Sequence, residues 1–167
     1  MNKIAYCSAW ANGVCAESNQ SALFQQSSLE SLQRLLKRID NVVIGANAFK
    51  LFVERNVDLS RNHIVLLSKS LSTAPADNVT LAALPAEALL HFPAASQANV
   101  LLAGGLSTID AFMQQSLVDE LILDIEPALT TTTGKLFPSI VRQINMELIG
   151  MRKVGAATVQ LHYRILR

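Results

Sequence analysis

Apolar positions along the chain switch between two periods, one near two residues and one near 3.6, and the switches mark the elements. Residues 3–8 form a short apolar run of strand length. Residues 11–28 are polar, carry Gly13 and many Ser, Asn and Gln, and read as a long loop, a kind of segment that is often functional in a compact domain. Ser27-Ser28-Leu29-Glu30 has the spacing of a capping box. It opens a helix with Leu29, Leu32, Leu35, Leu36 and Ile39 on one face. Arg34, Lys37 and Arg38 crowd its C-terminal end, where the helix dipole favours cations. Residues 41–44 read as a buried strand ended by Gly45, residues 46–54 as a second helix, and residues 64–67 as a third buried strand. Residues 79–84 suit a short edge strand, and Pro85 opens a helical turn over 86–91. Residues 100–103 are another buried strand that runs at once into Gly104-Gly105. Ser107 then caps a helix carrying Ile109, Phe112, Met113 and Leu117. Residues 121–125 are the next strand. Residues 147–154 and 158–166 pair as a hairpin across Gly155-Ala156-Ala157. In the last strand Val159, Leu161, Tyr163 and Ile165 alternate with Thr158, Gln160, His162 and Arg164.

Continuous apolar strands separated by helices imply a mainly parallel sheet covered on both faces. The expected fold is therefore a three-layer α/β domain over residues 1–167. Its sheet has about eight strands, with the 121–125 strand central or nearly so and an antiparallel C-terminal hairpin. No internal repeat, linker or low-complexity tract interrupts it.

Composition sharpens this picture in two places. Half of the 167 residues are hydrophobic and 16% are charged, below the usual quarter or so. Either the core is large or an apolar face is covered by a second subunit, and a homodimer is expected. The formal net charge of +1 offers no electrostatic footprint for nucleic acid or an anionic membrane. No run approaches 18 apolar residues and no signal peptide is visible, so a cytoplasmic location is expected. Cys7 and Cys15 are spaced too widely for a zinc site and read as two reduced thiols, with no metal expected.

Three stretches carry candidate chemistry. The first is Gly104-Gly105-Leu106-Ser107-Thr108. The missing Cβ atoms let backbone approach a ligand, and the helix N-terminus offers N–H donors to a phosphate. A tight turn needing glycine only for its geometry accounts for the same residues. The second is Ser68-Lys69-Ser70, beyond a parallel strand, where two hydroxyls and an ammonium suit a phosphate monoester or an ordinary polar loop. The third is Ser8 to Glu17, a loop after the first strand with Trp10, Asn12, Gly13 and Glu17. Glu17 there is an acid, a substrate anchor or a solvated side chain. His63, His91 and His162 share no spacing.

Taken together, the pieces resemble the dihydrofolate-reductase superfamily, above all the C-terminal reductase domain of the bifunctional riboflavin-biosynthesis deaminase/reductase. The most specific stretch is Asn99-Val100-Leu101-Leu102-Ala103-Gly104-Gly105, then Phe112, then Leu117-Val118-Asp119-Glu120-Leu121. Ala11-Asn12-Gly13-Val14, Ile64-Val65-Leu66-Leu67-Ser68, Gly134-Lys135-Leu136-Phe137-Pro138 and Tyr163-Arg164-Ile165-Leu166 are similarly placed. The resemblance implies an NADPH-dependent oxidoreductase that delivers a hydride to a C=N or C=O bond of a small pterin- or pyrimidine-like substrate. It implies a cis peptide at Gly104-Gly105. It places the cofactor against Gly45, Ser68, Lys69, Ser70, Gly104, Gly105, Leu106, Ser107 and Thr108, and the substrate near Trp10, Asn12 and Glu17.

The chain departs from that pattern at several positions. Ala46 and Ala48 stand where the family often has arginine and threonine, Ala103 where the riboflavin-type domain often has glutamate, and Asn12 where it often has aspartate. The Trp-x-x-Pro that precedes the dihydrofolate-reductase acid has no counterpart. No proton donor emerges from the sequence. A non-catalytic or degenerate dinucleotide-binding or dimerisation module of the same fold is the alternative reading.

Overall fold

Runs of four to six consecutive buried residues leave a strand no solvent face, so layers must cover it on both sides. The structure, a computed structural model, describes residues 1–15, 21–92, 99–131 and 134–167. Its strands are β1 (Lys3–Trp10), β2 (Asn41–Gly45), β3 (His63–Leu67), β4 (Val79–Ala82), β5 (Val100–Ala103), β6 (Glu120–Glu126), β7 (Met146–Val154) and β8 (Thr158–Ile165). Its helices are α1 (Gln26–Leu36), α2 (Ala46–Glu54), α3 (Pro85–Leu90) and α4 (Leu106–Gln114). One sheet takes the order β4-β3-β2-β5-β1-β6-β8-β7. All pairs from β4 to β6 are parallel, and β8 joins β6 and β7 antiparallel. This is the three-layer α/β architecture expected from the pattern. β5 and β1 hold the centre, and β6 lies next to β1.

Leu32 and Leu36 of α1 and Phe52 of α2 pack on one face with Tyr6, Ile44, Leu66 and Leu101. Ala88 of α3 and Ile109, Phe112 and Met113 of α4 pack on the other with Ala5, Val43, Val65 and Leu102. At the outer edge β7 leaves Met146, Leu148 and Met151 exposed.

Four local expectations change. The loop expected over 11–28 ends early, because Ser21 accepts a hydrogen bond from Leu23 N–H and starts a 3₁₀ turn at Ala22–Phe24. The capping box at Ser27–Glu30 does not form. α1 already begins at Gln26 with Gln25 as an uncapped N-cap, and Ser28 is buried with a partner elsewhere. Ser107 is not the cap of α4 either, since the turn needs the positive φ of Gly105, which takes the N-cap position. The polar face of β8 turns inward at its start. Thr158 and Gln160 are buried while Val159 is 38% exposed, because α1 lays serines over that end of the sheet.

Candidate functional site

β1, β2, β3 and β5 run parallel, so their C-terminal ends open on one edge of the sheet, the place where open α/β sheets take ligands. A cleft of about 300 Å³ lies there. All nine residues that the sequence singled out for a cofactor line it: Gly45 at the end of β2, Ser68, Lys69 and Ser70 after β3, and Gly104 to Thr108 after β5. Three separate stretches of chain thus meet at one cavity. The wall also includes Ser8 of β1, the first residue of the third candidate stretch, and Leu23 and Phe52, which the sequence reading did not pick out.

The glycines have different causes. Gly104 and Gly105 hold φ of +85° and +77°, a region that side-chain-bearing residues rarely occupy. The expected cis peptide is absent among the described residues; two successive positive-φ residues make the turn instead. Gly45 has ordinary φ, but a Cβ there would collide with Thr108 Oγ1, so β2 and α4 approach closely only because it is glycine. No side chain caps the N-terminus of α4, and its first residues, Leu106 to Thr108, face the cleft. Beside it, Ser68 Oγ accepts from Ser70 N–H at 3.3 Å and Leu71 N–H at 3.2 Å, which folds the post-β3 loop back on itself. Lys69 is exposed there and, among the described lining residues, is the single formal charge.

The substrate-side candidates fare differently. Trp10 ends β1 in a tight turn, with its N–H donating to Val14 O at 3.0 Å, and it does not line the cleft. Asn12 Nδ2 donates to Thr130 O at 2.9 Å, which ties the loop after β1 to the loop after β6 and keeps the side chain away from the cavity. Glu17 lies outside the described residues.

A second polar cluster went unread in the sequence. On the α1 face of the sheet, Tyr6, Asp124, Glu126, Thr158 and Gln160 are buried under Ser28 and Ser31 of α1. Asp124 and Glu126 are two apart on β6, so period two alone places them on one face with Ile122. That face is interior because α1 and β8 close over it. Burial raises the Asp124 carboxyl above its ordinary range, with the Glu126 charge adding to it. Burial, then the nearby Asp124 charge, holds the Tyr6 phenol well above its ordinary value. The two thiols are free and buried; burial pushes Cys15 up to about 12 and Cys7 well above its usual range, so neither is a poised nucleophile.

No family model matches the chain. Over a 65-residue segment it is 32% identical to the uncharacterised protein YwjB of Bacillus subtilis (strain 168). That segment is 39% of this chain and 37% of YwjB, so the match spans little more than a third of either. Among solved structures the chain is similar along its whole length to a protein from Shewanella sp. PV-4 assigned to riboflavin biosynthesis, with a TM-score of 0.76, 19% identity and full coverage of both. It is similar to RibD of Acinetobacter baumannii, with a TM-score of 0.74 and 15% identity over 99% of this chain and 58% of RibD. A pyrimidine reductase-like protein from Corynebacterium diphtheriae gives a TM-score of 0.72 and 16% identity, over 99% of this chain and 92% of that one. What likeness at such low identity shows is architecture: the chain has the dihydrofolate-reductase-like fold that these proteins share.

Proposed function

We propose that this chain is a nicotinamide-dinucleotide reductase that takes NADPH at the cleft and reduces a C=N or C=O bond of a small pterin- or pyrimidine-like molecule. The observation that carries the reading is the convergence of Gly45, Ser68–Ser70 and Gly104–Thr108 on one cavity at the C-terminal ends of parallel strands. The donor set suits a dinucleotide. The Cβ-free Gly104-Gly105 turn and the uncapped start of α4 fit a pyrophosphate, and the helix dipole favours its charge. Ser68, Lys69 and Ser70 fit a terminal phosphate monoester such as the one that distinguishes NADPH from NADH. When bound, the reduced nicotinamide supplies the hydride, and the chain's part is to orient, to exclude water and to provide a proton.

One observation favours the second reading, a degenerate binding module: Ala46 and Ala48 line the cleft with no charge to offer, leaving Lys69 alone among the described lining residues. Lys69→Ala tests the assignment. Loss of one charged contact worth about 1.4 kcal/mol weakens NADPH about tenfold and leaves NADH nearly unchanged. Equal weakening of both removes Lys69 from this role.

A further inference from the structure

Asp124 and Glu126 share one buried face, yet their hydrogen supply differs. Glu126 Oε1 accepts from Ser28 N–H at 3.2 Å and from the Ser28 hydroxyl at 2.5 Å, and its Oε2 accepts from the Thr158 hydroxyl at 2.8 Å. Three donors for two oxygens suit a group that only accepts.

Around Asp124 the hydrogens fall one short of the contacts, even with the Ser31 hydroxyl counted among the donors. Oδ1 accepts from Gln160 Nε2 at 2.7 Å. The other Gln160 amide hydrogen goes to Ser31 Oγ at 2.7 Å, and Arg152 Nε donates to Gln160 Oε1 at 2.7 Å, which fixes the amide the right way round. Asp124 Oδ2 lies 2.7 Å from Tyr6 Oη, but Tyr6 Oη is also 2.7 Å from the Ser28 carbonyl oxygen. A phenol carries one hydrogen, and neither a backbone carbonyl nor an ionised carboxylate carries any. Two contacts of this length need two hydrogens. The second therefore sits on Asp124: Tyr6 donates to Ser28 O, and the Asp124 carboxylic acid donates to Tyr6 Oη. Burial acts in the same direction. The other charged or titratable groups facing Asp124 are Glu126 on its own strand and Arg152 of β7, held one hydrogen bond further off by Gln160; Cys7 of β1 is close by but points to the opposite face of the sheet. From α1 the Ser31 hydroxyl faces it, while the Ser28 hydroxyl is taken by Glu126.

Ser8 links this acid to the cleft. It is the register partner of Asp124 across the parallel β1–β6 pair, so the two side chains rise side by side from one face of the sheet. Ser8 is 4% exposed and lines the cleft, and its Oγ lies beside the Tyr6 phenol but closes no well-aligned hydrogen bond among the described residues. A buried hydroxyl without a well-made hydrogen bond is rare, and at the wall of a cleft it is free to meet a ligand atom.

We propose that Asp124 and Ser8 are the proton source of the cleft, with Asp124 storing the proton as an un-ionised acid and the Ser8 hydroxyl passing it on. The acceptor's identity rests on the reductase reading above, whereas the storage of the proton does not. Asp124 gives up its hydrogen to Tyr6 Oη as Tyr6 turns its own from the Ser28 carbonyl to the neighbouring Ser8 Oγ, and Ser8 gives its hydrogen to the nitrogen or oxygen of the C=N or C=O bond whose carbon takes the hydride. One O–H bond breaks at Asp124 and one N–H or O–H bond forms on the substrate. The two electrons come from the reduced nicotinamide. Asp124 is left as a carboxylate and regains a proton from solvent once the cleft empties.

Infrared difference spectroscopy on the intact protein tests both halves. At neutral pH the wild type should show the carbonyl stretch of an un-ionised carboxylic acid that is missing from Asp124→Asn, a variant whose amide can keep both hydrogen bonds and the fold. On rapid transfer to D₂O the band should shift as the acid hydrogen exchanges. That shift should slow about tenfold in Ser8→Ala, equivalent to about 1.4 kcal/mol of barrier. Absence of the acid band at neutral pH, or exchange unaltered in Ser8→Ala, overturns the proposal. Saturating NADPH should also slow the exchange by covering Ser8. If Ser8→Ala slows it and NADPH does not, the proton store stands and the cofactor reading fails.

Discussion

In the β4-β3-β2-β5 half of the sheet the strand interiors are apolar, and the polar groups of interest lie beyond the strand ends, where backbone and loop residues build a cleft. In the β1-β6-β8 half the polar groups lie inside the sheet itself, as Tyr6, Asp124, Glu126, Thr158 and Gln160 sealed under α1. The first half leaves its donors open to a ligand. The second closes its donors on each other, apart from Ser8 Oγ, which stands where the two halves meet. The sheet thus places an open cleft and a closed polar cluster on opposite sides of β1.

Three substitutions sharpen this contrast. Glu126→Leu leaves the N–H and hydroxyl of Ser28 and the hydroxyl of Thr158 buried without their acceptor, at about 3 kcal/mol. The midpoint of urea unfolding should drop accordingly, with little change in slope. If the midpoint held, this polar seam between the sheet and α1 would not be a closed network. Gly45→Ala acts on the other half. Its methyl displaces Thr108, so about 2 kcal/mol of stability should go, and NADPH should bind more weakly with it. Unchanged nucleotide binding in a folded Gly45→Ala protein would separate the β2–α4 junction from the cleft's function.

The smallest effect concerns pH. Burial raises the Asp124 pKa in the folded chain above its unfolded value of about 3.9. Folding therefore takes up a proton between the two values, and this stabilisation is complete below the unfolded pKa and lost as pH rises through the folded one. Across that window wild-type stability should fall by up to about 1.4 kcal/mol per pH unit relative to Asp124→Asn. Parallel pH profiles for the two proteins, from denaturant titrations, would mean that Asp124 ionises as freely folded as unfolded.

The cleft was legible in the sequence because its signals are local. Apolar runs that stop at Gly45, at Ser68 and at Gly104-Gly105 mark strand ends, and parallel strands must end on the same edge. The seam was not, because nothing local says which side of β6 or β8 is covered. Asp124 and Glu126 alternate with Leu123 and Ile125, as an outward polar face would, and Thr158 and Gln160 do the same against Val159 and Leu161. Only the long-range placement of Ser28 and Ser31, brought over by α1, turns that face inward. The same residue shows why the capping box misled: Ser28 serves a carboxylate 98 positions away instead of its own helix end. The contact of Asn12 was equally hidden, since its amide joins two loops that are 118 positions apart in sequence.

The central claim is that the cleft holds a reduced dinucleotide, and calorimetric titration of the intact chain with NADPH and NADH tests it most directly. Saturable one-to-one binding of NADPH, tighter than that of NADH and weakened by Lys69→Ala, is the expected result. If neither nucleotide bound at about 1 mM, where even a binding free energy of about −4 kcal/mol gives half occupancy, the claim would be contradicted.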